Sequence, residues 1–374
     1  MPTGMEREEE LARKGGQTYV ADGTGPVAVR RLQRAGGVID FAACEANQAA
    51  GGKAGVVLDH FNFCRHGFNT LTKLDGQGRV EGQVKFTEIE VGTGMSGARK
   101  ATIYVKTKDL RAYGVFSPSF GTKMTIKPGS GGSPAHPGSC VAKMDTGATY
   151  TDVIGAWGDK FLAYDVQSPE ANASTSRIDK VAACTFQTHY KVEGSRGASP
   201  WSNGPDGGLR FDSADYLAPY GTQGAIFDRI TPVMHYKRTD TEVKAVAEHV
   251  FDAIHAPQLT YPQKSDKDIP GSIWNGQWQP LHRNYPKFNQ ASKDISTKNR
   301  TAKDAACAGL TKGENEQCDE FPLASTKEGA GKGDGNFSVR YVPQSDNSKA
   351  GARLSKWYGQ DRILDGDAYG MAVD

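Results

Sequence analysis

No apolar run in the chain approaches the roughly 18 residues of a membrane-spanning helix. A helical membrane protein is therefore not expected. The start, Met1 to Lys14, is polar and carries Glu6-Arg7-Glu8-Glu9-Glu10, so it lacks the apolar stretch of a secretory leader. The expectation is either an intracellular protein or a leader removed ahead of Met1. None of the six cysteines forms a C-x-x-C pair, which argues against a zinc ribbon or a dithiol redox motif. The net charge is only +2, which disfavours tight, static binding to nucleic acid. An enzyme that turns over a polyanion needs only a local basic patch, so this absence weighs little against a nuclease. No internal repeat is seen.

What is present is a chain of 374 residues, enough for two or three domains with their own cores. Hydrophobic residues make up 37% and charged residues 24%, a globular balance, and the 45 glycines point to many turns between short strands or long loops. Cys44, Cys64, Cys140, Cys184, Cys307 and Cys318 are even in number and widely spaced, which fits three disulfides. Pairing of sequence neighbours would join Cys44–Cys64, Cys140–Cys184 and Cys307–Cys318, one of fifteen connectivities. His60, Cys64 and His66 lack the fourth ligand of a zinc site, so the disulfide reading of Cys64 is preferred.

Three regions follow from the patterning. Residues 1–36 are polar and Gly-rich and are expected to pack loosely. Residues 37–238 read as a β-rich, sandwich-like domain of unassigned role. Val84-Lys85-Phe86, Thr102 to Lys106, Phe186 to Val192 and Leu209 to Phe211 alternate as strands. Lys127 to Ser139 and Glu193 to Gly208 read as loops. Residues 239–374 form the C-terminal domain, with a core at 318–374. Thr239-Asp240-Thr241-Glu242 reads as a capping box for a helix carrying Val243, Val246, Ala247, Val250 and Ile254, closed by Pro257. Residues 258–298 are loop-rich, and 299–310 read as a short helix. Then come a strand or loop at Asp319 to Leu323, a strand at Phe337 to Pro343, a helix at Ser345 to Tyr358 and a strand at Ala368 to Val373. Ser345 or Asp346 is the expected N-cap, with Ala350, Leu354, Trp357 and Tyr358 as the apolar face. The fold class is α+β.

The chemistry-bearing cluster lies in that core. Two extended segments and a helix, with acids on the first and an Asn at the helix start, make a compact hydrolytic layout. Oxygen ligands suit hard cations such as Mg²⁺ or Mn²⁺, and a carboxylate in reach of water can deprotonate it. Asp319 can serve as the base. Glu328 and Asn347 can hold the metal. Arg340, Lys349 and Arg353, with Asp346 among them, form the expected substrate-binding set. The plainer alternatives are a charged turn for Asp319-Glu320, a turn residue for Glu328 and a helix cap for Asn347.

The runs CDEFPLASTKEGA and VRYVPQSDNSKAGARLSKWY resemble the NucA/NucB deoxyribonuclease family. Asp319, Glu320, Phe321 and Pro322 match its D-E-[WYF]-P element. Glu328 and Gly329 match its E-G-G, and Val339, Tyr341, Val342, Asp346, Asn347 and Gly351 match the stretch that follows. The resemblance leaves the first 235 residues untouched. It implies a small secreted bacterial nuclease of variant ββα-metal type that cuts DNA without sequence specificity. In that family an Asp, here Asp319, replaces the usual His base. Glu328 and Asn347 would then lie at a single divalent metal, and Glu320, beside the catalytic Asp319, would either touch that metal or support it from behind, so that the direct carboxylate ligand is Glu320 or Glu328. Three features depart from the pattern: Lys327 stands where a Glu is frequent, Ala330 replaces the second Gly, and Gly331 to Asn336 lengthen the hairpin.

Around this core, Cys307–Cys318 would pin the strand that bears Asp319. His282-Arg283 resembles an element of longer relatives that could meet phosphate, against a packed loop as the plain reading. Trp201, Trp274 and Trp278 are expected as buried anchors, with stacking on sugars or bases as the alternative, and Arg99-Lys100 with Lys106, Lys108 and Arg111 as a solvated strand face. The reading is a secreted, metal-dependent endonuclease acting on DNA, its N-terminal domain free to bind a cell-surface or other ligand. The rivals are an extracellular binding protein with a degenerate nuclease domain, and a secreted interbacterial DNase toxin.

Overall fold

The computed structural model describes residues 17–21, 41–132, 140–158, 160–173, 177–273 and 278–374. They form two compact units, one within Arg30–Arg229 and one that joins the N-terminal strand to Ile230–Asp374.

The first unit is two antiparallel sheets that share one core. One sheet runs Val56–Asp59, Asn62–Leu74, Val80–Thr93, Lys100–Gly114, Phe161–Gln167, Val141–Met144. The other runs Met95–Ser96, Gln223–Ile226, Gly207–Ser213, Ala182–Gly194, Lys123–Gly132, Tyr150–Val153. Alternation puts Val84, Phe86, Ile103 and Val105 of the first sheet against Phe186, Tyr190 and Val192 of the second. This is a β-sandwich. Cys44–Cys64 and Cys140–Cys184 are bonded as sequence-neighbour pairing anticipates.

Several local expectations change. Lys127 to Gly132 continue a strand, because they pair along Ala182–Gly194, and the rest of that expected loop, 133–139, lies outside the described residues. Arg99 is no solvated residue: it is buried and donates to the Ser168 and Lys180 carbonyls at 2.6 and 2.7 Å. Trp201 and Trp278 are exposed at 44% and 48% instead of buried, and Trp274 lies outside the described residues.

The second unit contains strands β1 (Gln17–Ala21), β2 (Ile230–Tyr236), β3 (Leu281–His282), β4 (Glu316–Phe321), β5 (Ser338–Pro343) and β6 (Ala368–Val373). Its helices are α1 (Lys244–His255), α2 (Gln290–Cys307) and α3 (Gln344–Gln360). Four strands make one sheet in the order β1-β2-β6-β3, with β2 and β6 parallel. The unit starts at Ile230 rather than near residue 239, because β2 belongs to this sheet. Within 1–36, Gln17–Ala21 are paired along β2 rather than loose, and the remainder lies outside the described residues. The pair β4–β5 stands apart as an antiparallel hairpin, and α3 follows it directly.

α1 and α3 cover one side of that hairpin through a shared core of Val243, Val246, Ala247, Val250, Ala253, Val342, Ala350, Leu354, Trp357 and Tyr358. The expected capping box does not form: Val243 occupies the α1 N-cap without a side-chain bond. Asp240 and Glu242 turn to Arg353 instead. α1 is capped from α3, where Asp346 Oδ2 accepts from the Ala245 N–H at 3.1 Å. α3 starts one residue earlier than anticipated, with Pro343 at its N-cap, so neither Ser345 nor Asp346 caps it. α2 is longer than the segment 299–310. It starts after Asn289, whose side chain accepts from Ser292 N at 2.8 Å.

Candidate active site

Side chains alternate along β4, so Gln317, Asp319 and Phe321 point to one face and Glu316, Cys318 and Glu320 to the other. Asp319 and Glu320, adjacent in sequence, therefore do not share a site. Asp319 is paired across the hairpin with Arg340, and their face meets α1. Its Oδ2 lies 2.7 Å from His249 Nδ1, and His249 Nε2 lies 2.7 Å from Ser338 Oγ. His249 is fully enclosed and Ser338 is 1% exposed. The Asp319 side chain keeps 7% exposure, and among the described residues no donor reaches its Oδ1. One turn along α1, Asp252 accepts from Arg340 Nη2 at 2.7 Å.

Glu320 faces α2. Its Oε2 is enclosed and has no hydrogen-bond partner among the described residues. Burial pushes its carboxyl up to about 8; Lys303 and Arg300 offset part of that rise, and the charges of Asp319 and Asp304 add to it. On this face the disulfide Cys307–Cys318 ties the end of α2 to β4, which pins the strand bearing Asp319. Closing so short a loop contributes roughly 2–3 kcal/mol in the chain-entropy picture.

Glu328 lies on the segment between β4 and β5. Its two oxygens accept from the backbone N–H of His282 and meet His282 Nδ1, each at 2.8 Å. Glu328 remains 17% exposed and His282 39%. The segment is held to α2 by the buried Asn299, which donates to the carbonyls of Ala324 and Thr326 and accepts from Gly331 N. Gly331 is required there: a Cβ would sit 2.5 Å from the α2 backbone at Lys298 and Asn299.

Of the remaining candidates, Asn347 lies in the first turn of α3 and donates to Gln317 at 3.3 Å. Asp346 is spent on capping α1. Arg353 is bound by Asp240 at 2.7 Å and by Glu242, and is 13% exposed. Lys349 lies 3.6 Å from Glu242 on the surface. Arg283 is buried over the Tyr358 ring at 4.5 Å and donates to the Ile363 carbonyl, which is the packed-loop alternative for that residue. A concavity of about 390 Å³ runs beside the hairpin, with Tyr261, Thr311, Glu316, Arg340 and Tyr341 in its walls.

Among the described residues no group of three or more His, Cys, Asp or Glu side chains is arranged to hold a metal. An Mg²⁺ site needs less, one or two protein oxygens with water and phosphate completing the shell. Glu328 fits such a role: it is anchored by His282 and partly open. No hydrogen bond links Asn347 to it, so these two candidates are not joined as a site by direct contact.

His249 is the functional candidate absent from sequence reasoning. A signal was there, a polar residue on the apolar stripe of Val246, Val250 and Ala253. Its partner, 70 residues on, could not be read from periodicity.

Residues 275–372 match the family model for deoxyribonuclease NucA/NucB, the family that the runs from Cys318 to Tyr358 resemble. The match begins beyond α1, so His249 and Asp252 lie outside it. No curated protein matches the chain.

Proposed function

We propose that the C-terminal unit hydrolyses phosphodiester bonds of DNA with Asp319 as general base. The observation that carries this reading is the state of Asp319 inside the family-matched segment: one oxygen fixed by His249, the other without a donor among the described residues. A water bound at Oδ1 gives its proton to Asp319 as its oxygen attacks phosphorus. The P–O bond opposite breaks, and the leaving oxygen takes up a proton from solvent. Arg340, directly across the hairpin, can exchange Asp252 for a phosphate oxygen and offset its developing charge. A divalent cation held by Glu328, with water completing its shell, would supply charge neutralisation at the phosphate and the leaving oxygen. Glu320 is a structural carboxyl in this scheme. Phosphate contacts carry no base information, so broad sequence tolerance follows. Three disulfides favour an oxidising, extracellular setting.

Ser338, His249 and Asp319 have the bonding order of a nucleophilic triad. That role requires an accessible hydroxyl, and Ser338 at 1% exposure has none to offer.

The test is plasmid cleavage by wild type and Asp319→Asn, with Mg²⁺ or Mn²⁺ and with EDTA. Loss of the base should lower turnover by about 10²–10⁴-fold, and EDTA should abolish cleavage. Equal cutting by Asp319→Asn and wild type would remove Asp319 from the reaction, and cutting in EDTA would remove the metal.

A further inference from the structure

We propose that His249 is a positioning residue for Asp319, supplied by a helix outside the family-matched segment. The proposal rests on the nuclease reading above. An ionised carboxylate only accepts hydrogen bonds, so in the neutral imidazole Nδ1 carries the proton toward Asp319 Oδ2. Nε2 then accepts from the Ser338 hydroxyl, which fixes the tautomer and the ring plane. His249 is fully enclosed and cannot meet substrate or water itself. What it does is occupy one carboxylate oxygen, which stops the group from turning about its last torsion and leaves Oδ1 as the oxygen without a donor among the described residues.

The helix that presents His249 is itself held in register. Asp346 caps its first turn, and Asp252, three residues beyond His249, grips Arg340. His249 and Asp252 thus meet the two residues that face each other across the hairpin, Asp319 and Arg340. A helix tied at both points cannot slide by a turn without breaking both bonds. Misplacing a reacting group by about 1 Å costs on the order of 10²-fold in rate, and this is the loss such tethers prevent.

A histidine that merely satisfies the core would have the same burial, so the test must separate the two roles. His249→Asn keeps an N–H near the Nδ1 position, toward Asp319, and abandons Ser338. His249→Gln reaches the Nε2 position, toward Ser338, and abandons Asp319. Each loses one buried hydrogen bond, so a purely structural role predicts equal effects. Steady-state cleavage of duplex DNA by the full chain, with urea midpoints as the folding control, gives the readout. We expect His249→Gln to lose about 10²-fold in kcat with KM within about twofold, and His249→Asn to keep at least a tenth of wild-type kcat. Adding His249→Gln to Asp319→Asn should cost nothing further. Equal kcat for the two His249 variants, or a further loss in the double variant, overturns the proposal while the nuclease reading stands. If Asp319→Asn cuts like wild type, the nuclease reading fails instead.

Discussion

Glu320 offers a prediction whose size can be worked out. It is 7% exposed, Oε2 has no partner among the described residues, and burial raises the carboxyl from an ordinary 4.5 to about 8. Between those values the unfolded chain ionises while the folded protein keeps its proton. The folded state then binds more protons, so stability falls as pH rises, by about 1.4 kcal/mol per pH unit. The loss should reach about 3 kcal/mol at pH 7 and level off near 5 above pH 8. Glu320→Gln removes this titration and leaves a buried amide in place, which costs about 1–2 kcal/mol for its unmet donors. The variant should therefore be slightly less stable than wild type at pH 5, and about 3 kcal/mol more stable at pH 9. Urea denaturation at pH 5, 7 and 9 measures both. Parallel pH curves for the two proteins would refute the argument. Because Glu320 faces α2 and not Asp319, kcat should stay within about threefold. A loss of 10²-fold or more would put Glu320 in the reaction after all.

Two further changes probe the segment bearing Glu328 and the cation opposite Asp319. Gly331→Ala places a Cβ against helix backbone that cannot yield, so the segment must move off α2 and carry Glu328 with it. Overpacking of this kind costs about 1–3 kcal/mol, and the concentration of Mg²⁺ or Mn²⁺ needed for half-maximal cleavage should rise; an unchanged metal titration would clear Glu328 of that role. Arg340→Ala should raise KM and reduce the salt dependence of DNA affinity by about one phosphate contact, while stability changes by less than about 1 kcal/mol because the pair with Asp252 is exposed. The same salt slope in variant and wild type would show that Arg340 does not meet phosphate.

Much of the fold is legible where burial is apolar. Val84, Phe86, Ile103 and Val105 alternate, and they face the sandwich core. Ala350, Leu354, Trp357 and Tyr358 follow helical spacing, and they line one face of α3. α2 is only half legible because three of its four buried positions, ahead of Cys307, are Ser292, Ser296 and Asn299: the spacing is helical, but small polar residues carry no hydrophobic period. The capping box at 239–242 fails for another reason. Asp240 and Glu242 find Arg353, a partner more than a hundred residues away, and tertiary pairing overrides the local bond. In the site, Asp319 and Glu320 read as one acidic cluster, yet a strand period of two sends them to opposite faces. Glu328 and His282 show the reverse, two candidates 46 residues apart that the fold joins.

The family-matched segment is not by itself the folding unit here. Its parallel strand partner, β2, lies before residue 275, and so does α1. Tyr236, Val243, Val246, Ala247, Val250 and Ala253 are all buried in the core that holds Leu354, Trp357 and Tyr369. A fully buried side chain of Val size stabilises by roughly 1.5–3 kcal/mol, while a whole domain is stable by only about 5–15. Losing those side chains would therefore cost as much as the domain's entire margin. The same α1 delivers His249 to Asp319 and Asp252 to Arg340. Folding and site geometry thus depend on one helix, and a sequence comparison confined to residues 275–372 sees neither contribution.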